Sequence, residues 1–149
     1  MAERGALTAK RIAITLGGDK VLHGRVRTLD DLRRKVEQGL AYASLRVLST
    51  RFNIEPKTMR SILRLPERTL ARRKGEKRLR PDESDRLVRV GRIATLAEVT
   101  LGSREKAAGW LQKPNRALGN GVPLNRLDTD LGARQVEDVL LRIAYGVYS

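Results

Sequence analysis

Residues 58–73 read TMRSILRLPERTLARR, and this stretch decides the fold. Met59 and Leu63 stand four residues apart, which places both on one face of a helix. Pro66 interrupts the pattern, and proline is tolerated in the first turn of a new helix. Apolar anchors for that second helix stand at Leu65 and Leu70. Two short helices with apolar inner faces and a tight turn between them predict a helix-turn-helix motif.

The outer face of the second helix in this motif is basic. Arg68 and Arg72 lie one helical turn apart, and Thr69 stands beside Arg68, within reach of a phosphate or a base edge. Arginine is the preferred reader of guanine in the major groove, and both Arg and Lys hold phosphate. The residues predicted to bind DNA are therefore Arg64, Arg68, Thr69, Arg72, Arg73 and Lys74.

Three arginines depart from the usual pattern of such a motif. Arg60 replaces a small residue of the first helix, Arg64 replaces the turn glycine, and Arg73 occupies a core position of the second helix. Each is predicted to face solvent or phosphate. The alternative is a basic helical hairpin whose arginines are only solvated. Residues 57–80 hold ten Lys or Arg and two Glu, and this favours DNA because phosphate neutralisation dominates the affinity.

Charge is divided unevenly along the 149 residues. Residues 1–80 hold 21 Lys or Arg against 8 Asp or Glu, whereas residues 81–149 hold 10 against 9, for a net charge of +14 overall. Such asymmetry predicts a polyanion-binding half and a nearly neutral half with another task. The chain has no Cys and one His, His23, so neither a disulfide framework nor a metal site is predicted.

The remaining pattern predicts an all-α, mainly helical fold. Helices are expected from Thr28 to Gly39, up to Asn53, from Glu55-Pro56, over residues 67–74 with Gly75 ending the helix, over 82–101, from Ser103 to Leu111, and over 133–145 with Gly146 as the stop. Residues 13–16 and 20–23 are predicted as short strands or an unstructured arm. The expected division is an arm with a role in dimerisation (1–39), a DNA-binding region (40–80) and a small helical domain (81–149).

Several phrases of the second half occur together in a recognisable order. They are Arg68 to Arg73, Glu83 to Arg89, Ala108 to Leu111, Pro114-Asn115, Leu118-Gly119, Pro123-Leu124, Leu127 to Gly132, and the stripe Val136, Leu140, Ile143 and Gly146. From about residue 40 onward, their order and spacing resemble the Xre/MbcA/ParS antitoxin family. The arginine departures in the helix-turn-helix are typical of that family.

The resemblance implies the antitoxin of a type II toxin–antitoxin system. Such antitoxins usually pair with a RES-domain toxin, an enzyme that degrades NAD, and block it by direct binding through the C-terminal domain. They also bind their own double-stranded operator DNA, usually as a homodimer, and repress their operon. The implied location is the bacterial cytoplasm, with the C-terminal end of the antitoxin at the entrance of the toxin's active site.

Candidate toxin-binding residues follow from this implied role. Asn115, Leu118 and Pro123 are expected to form a rim, because residues 113–123 are rich in loop formers. The end of the chain is expected to act as a plug, since an aromatic beside a terminal carboxylate suits a cationic pocket. Its residues are Tyr145, Gly146, Val147, Tyr148 and Ser149. The alternative is that Tyr145 and Tyr148 pack on the protein's own core.

Catalysis is not predicted, because the sequence has no phosphate-cradling glycine loop and no recognisable nucleophile–base pair. Asp128 and Asp130 are interpreted as helix-capping neighbours, and Trp110 as a core anchor. No cofactor is predicted, and no apolar run approaches the length of a membrane span. Residues 87–101 are apolar on more than one face, which predicts a helix that is either central to the core or half of a dimer interface. Residues 1–52 are the other candidate for a dimer interface. Two alternatives remain open: a stand-alone dimeric helix-turn-helix regulator without a toxin partner, and a nucleoid-type protein that binds DNA by charge alone.

Overall fold

The structure, a computed structural model, describes residues 7–146, and the predicted all-α class is confirmed there. Its helices are α1 (Ala9–Thr15), α2 (Gly18–Leu22), α3 (Leu29–Gln38), α4 (Tyr42–Phe52), α5 (Pro56–Leu63), α6 (Glu67–Glu76), α7 (Pro81–Leu101), α8 (Arg104–Leu111) and α9 (Asp130–Ala144). Two short 3-10 turns, Arg116–Leu118 and Pro123–Arg126, lie between α8 and α9. None of the helices in this part of the chain is long and apolar enough to cross a bilayer.

Helix α7 is the centre of the core. It packs against α1, α3, α5, α8 and α9, and its apolar side chains are buried on several faces, among them Leu87, Val90, Ile93, Ala94 and Ala97. A helix that is apolar all round belongs in an interior. The prediction that the surface of residues 87–101 forms a dimer interface is therefore wrong for these side chains, because the chain's own helices cover them.

The N-terminal region is folded into this core and contains no strand within residues 7–39. The expectation of strands at 13–16 and 20–23, or of an unstructured arm, is wrong. The Thr8 hydroxyl caps the start of α1 by accepting from the Arg11 N–H. The Thr15 hydroxyl lies 2.7 Å from that of Thr95 on α7. Leu16 packs so closely on Gly91 that a Cβ there would lie 3.0 Å from the leucine. Contacts distant in sequence therefore stabilise α1.

The residues just before α4 contact the residues just after α6. Residues 39–42 run beside residues 77–79, where the Leu79 N–H donates to the Leu40 carbonyl at 2.8 Å. Gly39 has φ +87°, and a Cβ on it would lie 2.3 Å from the Leu79 carbonyl oxygen. Only glycine permits this close approach. The crossing holds the two ends of the helix-turn-helix segment together.

Arginines of α7 attach both halves of the chain to the same helix. Arg86 donates to the Leu63 carbonyl at the end of α5 (3.0 Å). Arg92, further along, forms an ion pair with Glu137 of α9. One continuous helix carries both contacts. It therefore holds α5, which precedes the expected boundary at 80/81 in the sequence, and α9, which follows it. That boundary falls at the first residue of α7 and stays a prediction.

Most predicted helix ends are confirmed, with two differences. The Thr28 capping box, the Gly39 stop and the Ser103 cap are present. Helix α6 continues through Gly75 to Glu76, because its last turn ends in a left-handed residue at Lys77 (φ +63°) rather than at the glycine. Helix α9 begins at Asp130, three residues earlier than expected, because the Thr129 hydroxyl accepts from the Gly132 N–H.

Candidate functional site

The α5–α6 pair forms a tight helix-turn-helix around buried apolar side chains. The Leu65 N–H donates to the Arg60 carbonyl at 2.9 Å, which closes the end of α5. The side chains turned inward are Met59, Ile62, Leu63 and Leu65, with Leu70 partly buried against them. Arg60 stays at the surface of the pair, 3.6 Å from the Glu67 carboxylate. Arg60, the first of the three arginines that depart from the usual motif, thus forms an ion pair that joins the two helices.

The outer side of this pair carries cations without carboxylate partners. Arg64, Arg68, Arg72 and Lys74 are exposed, and Thr69 is half-buried beside them. None of these four cations is within ion-pair distance of a carboxylate in residues 7–146. Exposed cations with no internal partner are available to phosphate and to base edges. We call Arg64, Arg68, Thr69, Arg72 and Lys74 the basic face.

Arg64 adopts a backbone conformation that disfavours its own side chain. It caps the C-terminus of α5 with φ +55° and ψ +43°, in the left-handed region where a Cβ costs about 1–2 kcal/mol. Glycine would satisfy this turn without that cost. Strained non-glycine residues cluster at functional sites, and the Arg64 guanidinium is exposed at the turn of the basic face.

The prediction that Arg73 binds DNA is wrong. Its side chain is buried, and its Nε donates to Glu83 of α7 at 2.7 Å while Nη1 donates to Glu76 at 3.1 Å. The hydrogen bond to Glu83 raises the pKa of the guanidinium above its ordinary value. Arg73 therefore occupies the core position of the motif by pairing its charge inward, and it attaches α6 to α7.

The predicted rim residues divide between exposed and buried. Asn115 is half-buried, and its carboxamide oxygen accepts from the Ala117 N–H at 2.9 Å. Leu118 belongs to the buried core and Pro123 is buried beside it, so their placement among the toxin-contacting side chains is wrong. The physical reason is that the 3-10 turns fold the loop onto α9. The loop offers Arg116, Ala117 and residues 119–120 to solvent instead.

The outer side of α9 carries exposed apolar side chains that no part of the described chain covers. Leu131 is 76% exposed and Tyr145 is 78% exposed. They lie about four helical turns apart, on nearly the same side of the helix, with Leu141 one turn before Tyr145. We call Leu131, Leu141 and Tyr145 the α9 face. The alternative that Tyr145 packs on the core is wrong, and Val147, Tyr148 and Ser149 lie outside the described residues.

Sequence reasoning missed two parts of this surface. Leu131 and Leu141 were not singled out, although their spacing from Tyr145 marks a second apolar stripe opposite the buried one. Arg126 gave no sequence signal. Its guanidinium donates to the Leu118 carbonyl (2.6 Å) and to the Gln135 side chain (2.7 Å), which fixes the loop on α9 beside a groove of about 370 Å³.

A metal site is not formed by the side chains of residues 7–146, since no three His, Asp or Glu residues there converge. The fold and the basic face define a helix-turn-helix protein with a second helical unit built on the same central helix. Residues 31–92 match the family model of the antitoxin Xre-like helix-turn-helix domain. Residues 95–146 match that of the antitoxin Xre/MbcA/ParS C-terminal toxin-binding domain.

Three relatives that match large parts of the chain agree with these two matches. The chain is 36% identical to an antitoxin Xre of Pseudomonas putida over 117 residues, which span 78% of this chain and 72% of the relative. It is 36% identical to an antitoxin Xre of Yersinia enterocolitica over 57% of this chain and 59% of the relative. A third antitoxin Xre, from Photorhabdus laumondii, is 37% identical over about half of each chain. The chain belongs to the Xre antitoxin family, with a helix-turn-helix domain and a toxin-binding domain.

Proposed function

We propose that this protein neutralises a RES-domain, NAD-degrading toxin by direct binding and represses its own operon by binding operator DNA. The observation that carries the proposal is the separation of two surfaces on one α7-centred body. The basic face lies within the region matched to the Xre-like helix-turn-helix domain, and the α9 face lies within the region matched to the toxin-binding domain. The protein acts in the bacterial cytoplasm by binding, not by catalysis.

The DNA-binding part of the proposal assigns α6 to the major groove. Arg68 and Arg72 read base edges, while Arg64 and Lys74 hold phosphates on either side. Replacing Arg68 or Arg72 by Gln is expected to reduce the discrimination between operator and random DNA by about 1–3 kcal/mol. Equal losses on both DNAs would limit these arginines to phosphate contacts. Electrophoretic mobility shift or fluorescence anisotropy titrations on both DNAs distinguish the two results.

The toxin-binding part assigns the α9 face, Gly146 and the residues that follow it to the toxin's active-site entrance. Asn115 and the exposed part of its loop form the rim. Exposed aromatic and leucine side chains are the usual anchors of a protein interface once they are buried. Truncation after Ala144 is expected to release toxin activity while operator binding persists. Retained neutralisation by the truncated chain would refute the assignment.

We also propose that the operator-bound form is a homodimer within a larger toxin–antitoxin complex. The exposed apolar side chains Ile14 and Leu29 lie within residues 1–52 and are free of the core, which supports a contact there. A twofold dimer requires a palindromic operator with half-sites about one helical turn apart. Sedimentation of the protein with and without operator DNA measures the stoichiometry, and a monomer on an asymmetric site would contradict the dimer.

The decisive experiment for the whole proposal is co-purification. The chain is expressed with the product of the adjacent gene, which is expected to be a RES-domain protein. A stable complex with suppressed NAD loss is the expected result. A clean preparation of both proteins with no complex would refute the antitoxin function and leave a stand-alone dimeric regulator.

A further inference from the structure

A cleft at the junction of the two family-matched regions carries a further inference. It has a volume of about 720 Å³ and lies between the C-terminal end of α4 and helix α8. Arg51 lines it from α4, while Arg104 and Lys113 line it from α8 and the residues that follow. Glu105 is the one carboxylate in the lining. Three cations against one anion make the cleft electropositive, although residues 81–149 are nearly neutral as a whole.

The cations of the cleft have no internal partner that explains them. Neither Arg51, Arg104 nor Lys113 forms an ion pair with a carboxylate of residues 7–146. The Arg51 Nε is buried and has no hydrogen-bond partner among the described atoms. A buried polar group without a partner is costly, and a bound anion would supply one. The cleft thus has donors available for an anion.

Gly109 on α8 is a second, independent observation. It lies inside a helix and lines the cleft, where glycine is less favourable than alanine. A Cβ at this position would meet no atom within 4 Å, and the residue has no positive φ. Neither packing nor backbone conformation in the described chain requires glycine here. A glycine is useful where another molecule must approach the backbone closely.

Hydrogen bonds fix the position of α8 relative to α4, so the two walls of the cleft are held at a constant separation. The Gln112 amide donates to the carbonyls of Phe52 (2.8 Å) and Asn53 (3.1 Å), where α4 ends. Three residues after Asn53, Pro56 begins α5, the first helix of the helix-turn-helix. The first helix of such a motif crosses the DNA backbone. The electropositive cleft, which Asn53 lines, therefore lies three residues before the start of the helix that crosses the DNA backbone.

We propose that this cleft binds backbone phosphates of the operator, so that α8 extends the DNA-binding surface into the toxin-binding domain. The proposal rests on the operator binding proposed above. Arg104 and Lys113 contact phosphates outside the recognition helix, and the bare backbone at Gly109 lets the strand approach. The contacts are independent of base sequence, because phosphates carry none.

The test uses the full chain without toxin and the double variant Arg104→Gln/Lys113→Gln. Its affinity is expected to fall roughly tenfold on operator and on random DNA alike, and the slope of log affinity against log salt to become shallower by about two. The matched control is Lys106→Gln/Arg134→Gln, which removes the same charge from exposed positions that do not line the cleft. The control is expected to leave the slope nearly unchanged.

A second variant places a carboxylate in the cleft. A Cβ at Gly109 meets no atom within 4 Å, so Gly109→Glu is expected to weaken DNA binding by placing a negative charge against the phosphates, whereas Gly109→Ala leaves it near the unmodified value. Circular dichroism confirms the helical content of each.

Several outcomes would overturn the proposal. An equal loss in the control pair means that only net charge matters. Unchanged DNA binding, together with weakened binding of the double variant in a separate toxin titration, means that the cleft receives an acidic segment of the toxin. If the variants keep full DNA affinity, this inference fails and the proposed function stands. If the unmodified chain binds no operator, both fail.

Discussion

The outer surfaces of α6 and α9 differ in the chemistry of the side chains that they expose. Helix α6 exposes Arg68, Arg72 and Lys74, none of which pairs with a carboxylate of residues 7–146. Helix α9 exposes Leu131 and Tyr145, while its outward-facing charges are of both signs. Unpaired cations suit a polyanion, and exposed apolar side chains suit a protein surface that buries them. The two helices therefore indicate two different partners and two different dependences on salt.

The largest expected effect is on stability and comes from Arg73, the arginine of α6 that is buried and does not belong to the basic face. Arg73→Met leaves the Glu83 carboxylate buried and deprived of its main partner, so the free energy of unfolding is expected to fall by about 3–5 kcal/mol. The double variant Arg73→Met/Glu83→Gln is the control and should recover most of that loss. Urea denaturation measures both. A single-variant loss under about 1 kcal/mol would contradict the buried pair as the contact that attaches α6 to α7.

The α9 face is tested by placing a charge on its most exposed aromatic position. Tyr145→Asp is expected to weaken toxin binding by about 2 kcal/mol or more, because anchors at the centre of an interface carry most of the affinity. Operator binding should not change. Gln38→Glu, which adds the same charge at an exposed residue of α3, is the control for the toxin titration. If the two variants lose toxin affinity equally, the α9 face is not the interface.

Arg64 offers a smaller effect in which stability and function move in opposite directions. Arg64→Gly relieves the left-handed backbone at φ +55° and is expected to raise the free energy of unfolding by about 1 kcal/mol. It also removes one cation of the basic face, so DNA affinity should fall. Thermal melts and DNA titrations of the same preparation check both. A variant that gains stability without losing DNA affinity would remove Arg64 from the interface.

The smallest expected effect concerns the cap of α3, away from both surfaces. The N–H groups of Arg27 and Thr28 donate to the Asp31 carboxylate at 2.9 and 3.1 Å and hold its pKa below the ordinary value of 3.8. A lowered folded-state pKa means that the contribution to stability is present above the unfolded value and is lost as the pH falls through the folded one. The stability difference between the unmodified chain and Asp31→Asn should therefore shrink from pH 7 to pH 3. A constant difference would contradict this cap.

Local signals explain why much of the fold was predictable. The Thr28 and Ser103 caps, the stop at Gly39 and the proline at the start of α5 each act within one helical turn, so the sequence alone indicates them. The apolar positions of α7 predicted either a core helix or a dimer interface, and the burial of Leu87, Val90 and Ile93 under the chain's own helices decides for the core. The helix-turn-helix and the exposed arginines Arg68 and Arg72 followed from one short stretch.

The features that sequence reasoning missed depend on partners far along the chain. Helices α1 and α2 are too short to be stable alone. Thr15 and Leu16 pack α1 on α7, and α2 in turn packs on α1 and α4. The inward orientation of Arg73 depends on Glu83, ten residues later. The burial of Leu118 depends on how Arg126 folds the loop onto α9. None of these contacts leaves a periodic pattern in the sequence.

The most direct test of two surfaces with different chemistry is to measure how salt changes the affinity for operator DNA and the affinity for toxin. Both are measured on one preparation of the chain. Between 50 and 200 mM salt, operator binding is expected to weaken by about 10²-fold or more, as phosphate neutralisation requires. Toxin binding through the α9 face should change by less than about threefold over the same range. A toxin affinity that falls as steeply as the operator affinity would contradict two surfaces of different chemistry and would place both partners on the basic face.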